Sequence, residues 1–332
     1  MKLNALQYNP ITLDFKSFEN YSLDSLKGLD ANVEFVSLIK EFKDKFNFSA
    51  IKTFSFSKEG FLGLFLELSF KTKSKISVSL GECEALIQGA KLYQSLGFDI
   101  EFIELNKDGS VNLEQIKNKD IEFLFLSSYV MDTFMITSLE EVKKFTNAKI
   151  ISNTSADFSK FSDVIYFDSY KLCGYHFSGV ILFDDELLDN SSLAFIDTIA
   201  IKACFETLKN QSFNIKVKEI FKQKLIAKFK DDIYFFVDNS KTLPYTLHFG
   251  FKNIKARELI RTLVFDNIFL SNGEGCSLGL SKPSRIIQSM GYDETTSRNS
   301  ISLSFLEDYS EESIQKVVDK IFQKYKQIVI LN

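Results

Sequence analysis

A single lysine separates two apolar runs in the stretch Asp163-Val-Ile-Tyr-Phe-Asp-Ser-Tyr-Lys171-Leu-Cys-Gly174, which is followed closely by Ser178-Gly-Val-Ile-Leu-Phe183. Both runs are rich in β-branched and aromatic residues, which is typical of short buried strands. The link between them carries two glycines, so the sequence predicts a tight bend with Lys171 at the end of a buried strand. A partly desolvated lysine loses its proton more easily, and the neutral amine attacks carbonyl groups. Lys171 is therefore either a Schiff-base lysine or an ordinary solvated loop lysine.

A second motif lies further along the chain, in Ile268-Phe-Leu-Ser-Asn-Gly-Glu-Gly-Cys276-Ser-Leu-Gly-Leu-Ser-Lys-Pro-Ser284-Arg-Ile-Ile-Gln-Ser-Met-Gly291. This loop resembles the loop of cysteine desulfurases that carries the sulfur-accepting cysteine. Asp168-Ser-Tyr-Lys171 is similar to the Ser-x-His-Lys motif whose lysine binds pyridoxal 5′-phosphate (PLP), with Ser169 and Tyr170 at the serine and histidine positions. The chain thus resembles the class V aminotransferases and cysteine desulfurases, which are fold-type-I PLP enzymes, from about residue 51 to residue 314.

The resemblance implies a specific chemistry. Lys171 would hold PLP as a Schiff base, and the ring would act as an electron sink that weakens bonds at the α-carbon of a small amino-acid substrate. In a desulfurase that substrate is cysteine, which passes its sulfur to Cys276 and leaves a persulfide and alanine. The alternative for Cys276 is a small packed residue in a turn. The resemblance also implies a homodimer and a sulfur-acceptor protein as partners.

Several positions depart from the family's pattern. The histidine that stacks on the PLP ring falls on Cys83, and the aspartate beneath the pyridine nitrogen falls on or near Asn153. An asparagine hydrogen-bonds but supplies no charge. Asp157 is one turn further on if the segment is helical, and it would then be either a displaced substitute or a solvated carboxylate. These losses put a complete active site in doubt.

Other parts of the site are altered as well. The arginine that clamps the substrate carboxylate falls on Ser302, with Arg285, Arg298 and Lys282 as the nearest substitutes. The family's Arg-Ser-Gly-Thr segment, which reaches the partner subunit's phosphate, is missing between residues 185 and 200, and only a threonine remains there. The phosphate-binding loop is Ser55-Phe-Ser57-Lys-Glu-Gly60, where a helix N-terminus with Ser57 still offers N–H donors.

The pattern of secondary structure predicts an α/β fold. Short strands alternate with helices from residue 51 onward, which favours a mostly parallel sheet covered on both faces. Strands are predicted at 75–80, 99–105, 121–126, 149–152, 163–167 and 179–183, with a helix at 113–117. A region of α+β character follows, with strands predicted at 233–237 and 267–270. The predicted division is an arm and helix at 1–50, a large PLP-binding domain at 51–205 and a small domain at 206–332.

Composition excludes several classes of function. The 332 residues carry a net charge of −4 without a basic cluster, which argues against nucleic-acid binding. The N-terminus lacks a signal-peptide core and no long apolar segment occurs, so a cytoplasmic protein without membrane contact is expected. Four cysteines without a Cys-x-x-Cys pair, and two histidines, do not support a metal site. Gly273-Glu-Gly-Cys-Ser-Leu-Gly279 is one residue too long for a dinucleotide fingerprint.

Two classes of function remain open on the sequence. Retention of Lys171 and Cys276 favours a PLP-dependent, cysteine desulfurase-like enzyme of sulfur transfer. Another class V lyase or aminotransferase is an alternative enzyme of the same kind. Loss of the histidine, aspartate and arginine positions favours a catalytically degenerate scaffold that acts as a binding partner.

Overall fold

A seven-stranded sheet forms the centre of the fold. The structure is a computed structural model that describes residues 1–4, 33–71, 75–117, 119–174, 178–184, 187–188, 196–273 and 282–331. The sheet has the order β1-β7-β6-β5-β4-β2-β3. Its strands are β1 (Ala50–Ser55), β2 (Ile76–Ser79), β3 (Ile100–Ile103), β4 (Phe123–Phe125), β5 (Lys149–Asn153), β6 (Val164–Asp168) and β7 (Ser178–Phe183).

Most of this sheet is parallel. The strands from β3 to β6 pair in parallel, whereas β7 runs antiparallel to both β6 and β1. All residues of β2, β4 and β6 are buried, as expected for strands that are covered on both faces. The predicted α/β fold class is therefore confirmed.

Helices cover both faces of the sheet. On one face α2 (Lys58–Lys71) and α3 (Glu84–Ser95) pack on the strands through apolar side chains such as Phe61 and Leu86. On the other face lie α1 (Val33–Phe46), α5 (Ser169–Cys173) and α6 (Thr198–Asn210). The short helix α4 (Leu139–Lys143) precedes β5. This arrangement leaves the carboxyl ends of the parallel strands as the edge where loops gather.

The C-terminal region is built on a small antiparallel sheet. Its strands β8 (Ile233–Tyr234), β9 (Thr246–Phe251) and β10 (Ser300–Ser304) have the order β10-β9-β8. The helices of the region are α7 (Val217–Phe229), α8 (Ala256–Leu263), α9 (Arg285–Ser289), α10 (Glu294–Ser297) and α11 (Glu311–Leu331). Phe236, Tyr245 and Ile287 join the core of the large sheet instead of the C-terminal core. The domain boundaries themselves stay a prediction.

Three predicted elements differ from the structure. The helix expected at 113–117 is a short 3₁₀ turn, Leu113–Gln115. The strand expected at 233–237 pairs over only two residues. The strand expected at 267–270 is reduced to isolated bridges, and Asn267 at its start adopts a left-handed conformation (φ 55°). Among the helices that are described, none combines the length and apolar character needed to cross a membrane.

Candidate active site

Lys171 lies on a short helix and not in the tight bend that the sequence predicts. Asp168 ends β6 and caps α5, since its Oδ1 accepts hydrogen bonds from the backbone N–H groups of Tyr170 (3.0 Å) and Lys171 (3.3 Å). Gly174 ends α5 in the left-handed region at φ 70°. An acidic N-cap and a C-terminal glycine are common helix boundaries. They fix the backbone of Lys171 at the carboxyl edge of the sheet.

The Lys171 side chain is half-buried and faces a small cavity. Its Nζ donates to the Met131 sulfur at 3.4 Å. The cavity between Lys171, Met131, Tyr129 and Ser155 has a volume of about 20 Å³. A volume of this size holds about one water molecule, whereas pockets for small ligands are typically hundreds of Å³. The side chains around the lysine are therefore closely packed.

Asn153 ends β5 and is fully buried. Its Oδ1 accepts hydrogen bonds from the backbone N–H of Ser155 (3.0 Å) and the Tyr129 hydroxyl (3.5 Å). Its Nδ2 is buried without a hydrogen-bond partner among the described residues. The resemblance to PLP enzymes implies that a side chain at or near Asn153 lies beneath the cofactor's ring nitrogen, and the structure shows that the Asn153 Nδ2 is an unpartnered buried donor.

Cys83 begins α3 and is buried, with 1% of its surface exposed. Its neighbour Glu82 is also buried, and its carboxylate accepts from the Ser127 backbone N–H (2.6 Å) and the Tyr166 hydroxyl (3.2 Å). Burial, together with the nearby Glu82 charge, raises the pKa of Tyr129 and Tyr166 well above that of an ordinary tyrosine. Both phenols therefore keep their protons at neutral pH.

Glu82, Tyr129 and Tyr166 were missed by sequence reasoning. Glu82 and Tyr129 follow β2 and β4 at the edge where ligands bind in parallel α/β sheets, and that placement was the available clue. Tyr166 lies inside an apolar strand, and nothing in its sequence pattern marks it. The structure joins these residues to Asn153 and Cys83 in one polar group within the core.

The predicted phosphate-binding residue Ser57 stands just before α2. Its Oγ accepts from the Gly60 backbone N–H at 3.2 Å and from the Ser55 hydroxyl at 3.1 Å. The preceding Phe56 ring lies 6.1 Å from the Tyr166 ring. The loop therefore stands next to Tyr166, which belongs to the polar group around Glu82.

Ser169 and Tyr170 flank the lysine on α5. Ser169 is fully buried and its Oγ donates to the Ser178 carbonyl, which ties α5 to β7. Tyr170 is half-buried. Both residues are next to Lys171 as predicted, and their roles toward a cofactor stay a prediction.

Two of the three predicted substitutes for the lost arginine are engaged elsewhere, whereas Lys282 is exposed. Arg285 binds Glu84 at 2.7 Å, and Arg298 pairs with Glu294. Ser302, at the arginine position, donates to the Asp132 carbonyl (2.9 Å).

The segment around Asp157 is not helical. Asp157 therefore does not lie one helical turn from Asn153, which was required for it to replace the lost aspartate. Its carboxylate accepts from the Ser128 hydroxyl at 2.7 Å. Burial raises the pKa of Asp157 above the ordinary range for a carboxyl group. The Asp157 carboxylate is thus partly buried and hydrogen-bonded, and it is not a fully solvated surface charge.

Cys276 lies outside the described residues. The segments on either side of it both reach Asp132, which lines the Lys171 cavity. The Ser284 hydroxyl donates to Asp132 Oδ2 (2.9 Å), and Gly273 packs so closely that a Cβ on it would be 2.1 Å from Asp132 Cγ. Elsewhere in the described chain the cysteines Cys83, Cys173 and Cys204 are buried thiols. No group of three or more potential metal ligands occurs in the ranges described.

The fold is that of the NifS-like proteins. A solved NifS-like protein matches 98% of this chain and 99% of its own, with a TM-score of 0.77 and 15% identity. The NifS-like protein from Rickettsia africae ESF-5 has a TM-score of 0.72, 16% identity and the same coverage. No family model matches the sequence.

At the level of sequence, the chain is similar to cysteine desulfurases. The cysteine desulfurase of Nostoc sp. strain PCC 7120 is 30% identical over 104 residues, which is 31% of this chain and 26% of that protein. The chain thus spans about a quarter of the length of the curated relatives it matches. The resemblance to class V aminotransferases and cysteine desulfurases is confirmed, in a divergent form.

Proposed function

We propose that this protein is a PLP-dependent, cysteine desulfurase-like enzyme that takes sulfur from free cysteine onto Cys276. The observation that carries the proposal is the placement of Lys171 at the carboxyl edge of the parallel strands, just after β6 and next to the strand β5 that ends at Asn153. Small ligands bind at this edge in open α/β sheets. The NifS-like fold and the sequence similarity to cysteine desulfurases support the same reading.

The described residues supply three groups that suit PLP. Lys171 offers an amine for the aldehyde, and Asn153 offers a hydrogen-bond donor for the ring nitrogen. The first turn of α2, which follows Ser57, offers backbone N–H groups for the phosphate, apart from the Gly60 N–H that donates to Ser57 Oγ. Bound PLP supplies an electron sink for chemistry at the α-carbon of an amino acid. The Tyr129 and Met131 side chains must move to admit it, given the small cavity.

The chain's own residues set how a substrate is held and where sulfur goes. Asp168 fixes the helix that carries Lys171, so the amine approaches from a rigid backbone. Tyr129 keeps its proton, since burial raises its pKa, and can donate a hydrogen bond but cannot serve as a base at neutral pH. The thiolate of Cys276 takes the sulfur atom to give a persulfide, and the rest of the substrate leaves as alanine. An acceptor protein then removes the sulfur.

The decisive experiment is covalent capture of PLP. Protein incubated with PLP and reduced with borohydride is expected to carry a pyridoxyl group on Lys171, seen by peptide mass spectrometry. Lys171→Ala abolishes the adduct, whereas Lys316→Ala, a control at an exposed lysine on α11, retains it. Wild-type protein that gains no adduct under excess PLP refutes the proposal.

A second function is favoured by the packing at the site. The cavity beside Lys171 has room for about one water, and Cys83 and Ser302 replace residues that the family uses. A catalytically degenerate scaffold that binds a partner protein has the same fold and needs no larger pocket. Folded protein that neither binds PLP nor releases alanine from cysteine, and that captures a partner protein, supports this second function.

We also propose that the protein is a cytoplasmic homodimer. Helix α2 is apolar on two faces: Phe61 and Leu64 enter the core, and Leu66 is 38% exposed with Leu62 partly exposed one turn before it. An outward apolar stripe on a helix next to a predicted phosphate loop suits a subunit contact.

A further inference from the structure

Lys218 is a buried lysine in the first turn of α7, with 5% of its surface exposed. Its Nζ donates to the carbonyl oxygens of Asn239 (2.7 Å) and Leu243 (3.0 Å), to the Thr242 hydroxyl (2.8 Å) and, at 3.5 Å, to the Thr242 carbonyl. All of these acceptors are neutral and belong to residues 239–243, called here the Lys218 turn. Within the described ranges, no carboxylate forms a salt bridge with this ammonium group.

The surroundings of Lys218 disfavour its charged form. Burial removes the ammonium group from water, and the N-terminus of a helix repels a cation. The charges of Glu219 and Asp238 favour the ammonium at a distance, Lys222 opposes it, and burial outweighs them. The pKa of Lys218 is accordingly lowered from 10.5 to about 8. At neutral pH the fold therefore holds a charged lysine in a place that favours the neutral amine.

The Lys218 turn keeps its hydrogen bonds without the lysine. The Thr242 hydroxyl donates to the Asn239 carbonyl at 3.0 Å. Thr246 donates to the Leu243 carbonyl from its backbone N–H (3.1 Å) and from its hydroxyl (2.9 Å). Both carbonyls thus stay satisfied when the ammonium leaves. Neutral acceptors of this kind do not offset the cost of burying the charge.

The Lys218 turn also holds one wall of the cavity beside Lys171. Residues 131–134, the wall segment, supply three of the side chains that line this cavity. The Leu243 backbone N–H donates to a carbonyl of the wall segment at 3.0 Å, and the Ile136 N–H donates to the Lys241 carbonyl at 2.9 Å. A movement of the turn that brings the ammonium to water therefore breaks the hydrogen bonds that keep the wall in place.

We propose that Lys218 controls access to Lys171: the wall segment is closed when Lys218 is neutral and is released when Lys218 is charged. The released form exposes the lysine, so its pKa returns toward 10.5, whereas the closed form keeps it at about 8. Proton binding favours the form with the higher pKa. Opening is thus most favourable below pH 8 and becomes less favourable as the pH rises from 8 to 10.5. This inference goes beyond the proposed function, because it concerns access to Lys171 whatever binds there.

Hydrogen exchange of the Leu243 and Ile136 backbone amides measures the opening, since both amides bond the turn to the wall side of the cavity. Lys218→Met removes the charge and keeps an apolar side chain, so at neutral pH it should slow this exchange by about tenfold or more. Lys216→Met is the matched control at an exposed lysine two residues earlier, and it should exchange like the wild type. Faster exchange in Lys218→Met would show that the ammonium clasps the turn, and it overturns the proposal, as does an unchanged rate.

The wild type provides a test that needs no variant. After correction for the intrinsic exchange rate, protection of the two amides should rise about tenfold between about one unit below and about one unit above pH 8. Protection that stays constant or falls over this range contradicts the proposal.

Access to Lys171 itself is read by reductive methylation with formaldehyde and cyanoborohydride at one neutral pH. Peptide mass spectrometry should show slower methylation of Lys171 in Lys218→Met than in the wild type and in Lys216→Met. Equal methylation in the three proteins would mean that the wall does not control access. Neither measurement uses PLP, so a failure of PLP capture leaves this inference standing, and its own failure leaves the proposed function standing.

Discussion

Asp132 forms hydrogen bonds with two residues that are distant in the chain, Ser284 and Ser302. Its backbone is left-handed (φ 62°), its carboxylate accepts from Ser284, and its carbonyl accepts from Ser302. Non-glycine residues in this conformation are strained by about 1 kcal/mol or more and persist where the surroundings demand them. Aspartate is among the residues that tolerate the left-handed conformation, so local preference and these contacts together hold the position.

Replacing Asp132 is expected to destabilise the fold. Asp132→Ala removes the acceptor for a buried hydroxyl and should lower the free energy of unfolding by about 2 kcal/mol. Asp132→Asn is the matched control, because asparagine keeps an acceptor oxygen and tolerates the left-handed conformation. Urea unfolding followed by circular dichroism measures both. Equal losses in the two variants would show that the hydrogen bond to Ser284 is not what stabilises the site.

His248 should make the protein sensitive to acid. It is fully buried on β9, neither ring nitrogen has a partner among the described residues, and burial lowers its pKa from 6.5 to about 3. The unfolded chain therefore binds a proton at this residue before the folded chain does. Stability contributed by the neutral ring is complete above pH 6.5 and is lost as the pH falls toward 3.

The variant His248→Leu isolates this effect. Near neutral pH it should be about as stable as the wild type. At a pH about two units below 6.5 the wild type should lose roughly 2–3 kcal/mol that the variant keeps. Denaturant unfolding at the two pH values gives the comparison. Parallel pH profiles for both proteins would mean that His248 stays neutral when the chain unfolds or is charged in the fold.

The four cysteines should differ sharply in reactivity. Cys83, Cys173 and Cys204 are buried, and burial raises the pKa of the Cys204 thiol well above its usual value. Buried thiols of this kind are inert to alkylation. Iodoacetamide is therefore expected to modify native protein at Cys276 alone and denatured protein at every cysteine, as read by peptide mass spectrometry. Cys204→Ser should leave the native pattern unchanged, and labelling of any buried cysteine in folded protein contradicts the assignment.

At the scale of single elements, the start of α2 depends on Gly60. A Cβ at this position would be 1.7 Å from the Ser55 carbonyl oxygen, which no side-chain movement relieves. Gly60→Ala should therefore cost more than 2 kcal/mol of stability, in the range of overpacked sites, and should weaken PLP binding. Gly97→Ala is the comparison: its φ is 91° with open space around it, so it should cost only about 1 kcal/mol. Thermal unfolding ranks the two variants, and the reverse order would contradict this reading.

The strands of the large sheet were predictable because they are apolar runs between turn residues. The order of β and α elements also predicted the parallel sheet. Helix α5 was not predicted: it has only five residues, and its boundaries depend on the Asp168 cap and not on periodicity. The bridges of residues 267–271 depend on contacts with the distant N-terminus and β10, which no local pattern encodes.

The candidate site was predictable in part, because some of its residues belong to recognisable sequence motifs. Lys171, Asn153 and Cys83 could be placed by their motifs, and the structure brings them to one edge of the sheet. The closure of the Lys171 cavity by Tyr129 and Met131 results from tertiary packing. The sequence alone predicts that Arg285 is a surface cation, yet it forms a salt bridge with Glu84, which is distant in the chain. Side-chain partners of this kind depend on residues far apart in the chain.

At the scale of the whole molecule, the proposed dimer makes a mutational test available. Leu66→Lys places a charge in the outward apolar stripe of α2 and is expected to give a monomer at micromolar concentration. Leu96→Lys is the control, since Leu96 is 56% exposed at the end of α3. Light scattering coupled to size-exclusion chromatography measures the mass. A wild type that is already monomeric rejects the dimer, and a dimeric Leu66→Lys variant rejects this face.

The packing of Phe236, Tyr245 and Ile287 into the core of the large sheet affects how the molecule comes apart. Side chains shared in this way make the C-terminal region part of the same cooperative unit. A protease that cuts in the irregular segment 211–214, just after α6, should therefore leave two fragments that stay associated, instead of releasing a stable N-terminal half. A chain truncated there would expose to solvent the apolar core residues that pack against the C-terminal region, and it would aggregate. A hinge motion between the N-terminal and C-terminal regions would disrupt the core that they share. A ligand must therefore reach Lys171 through local movements, such as rotation of individual side chains.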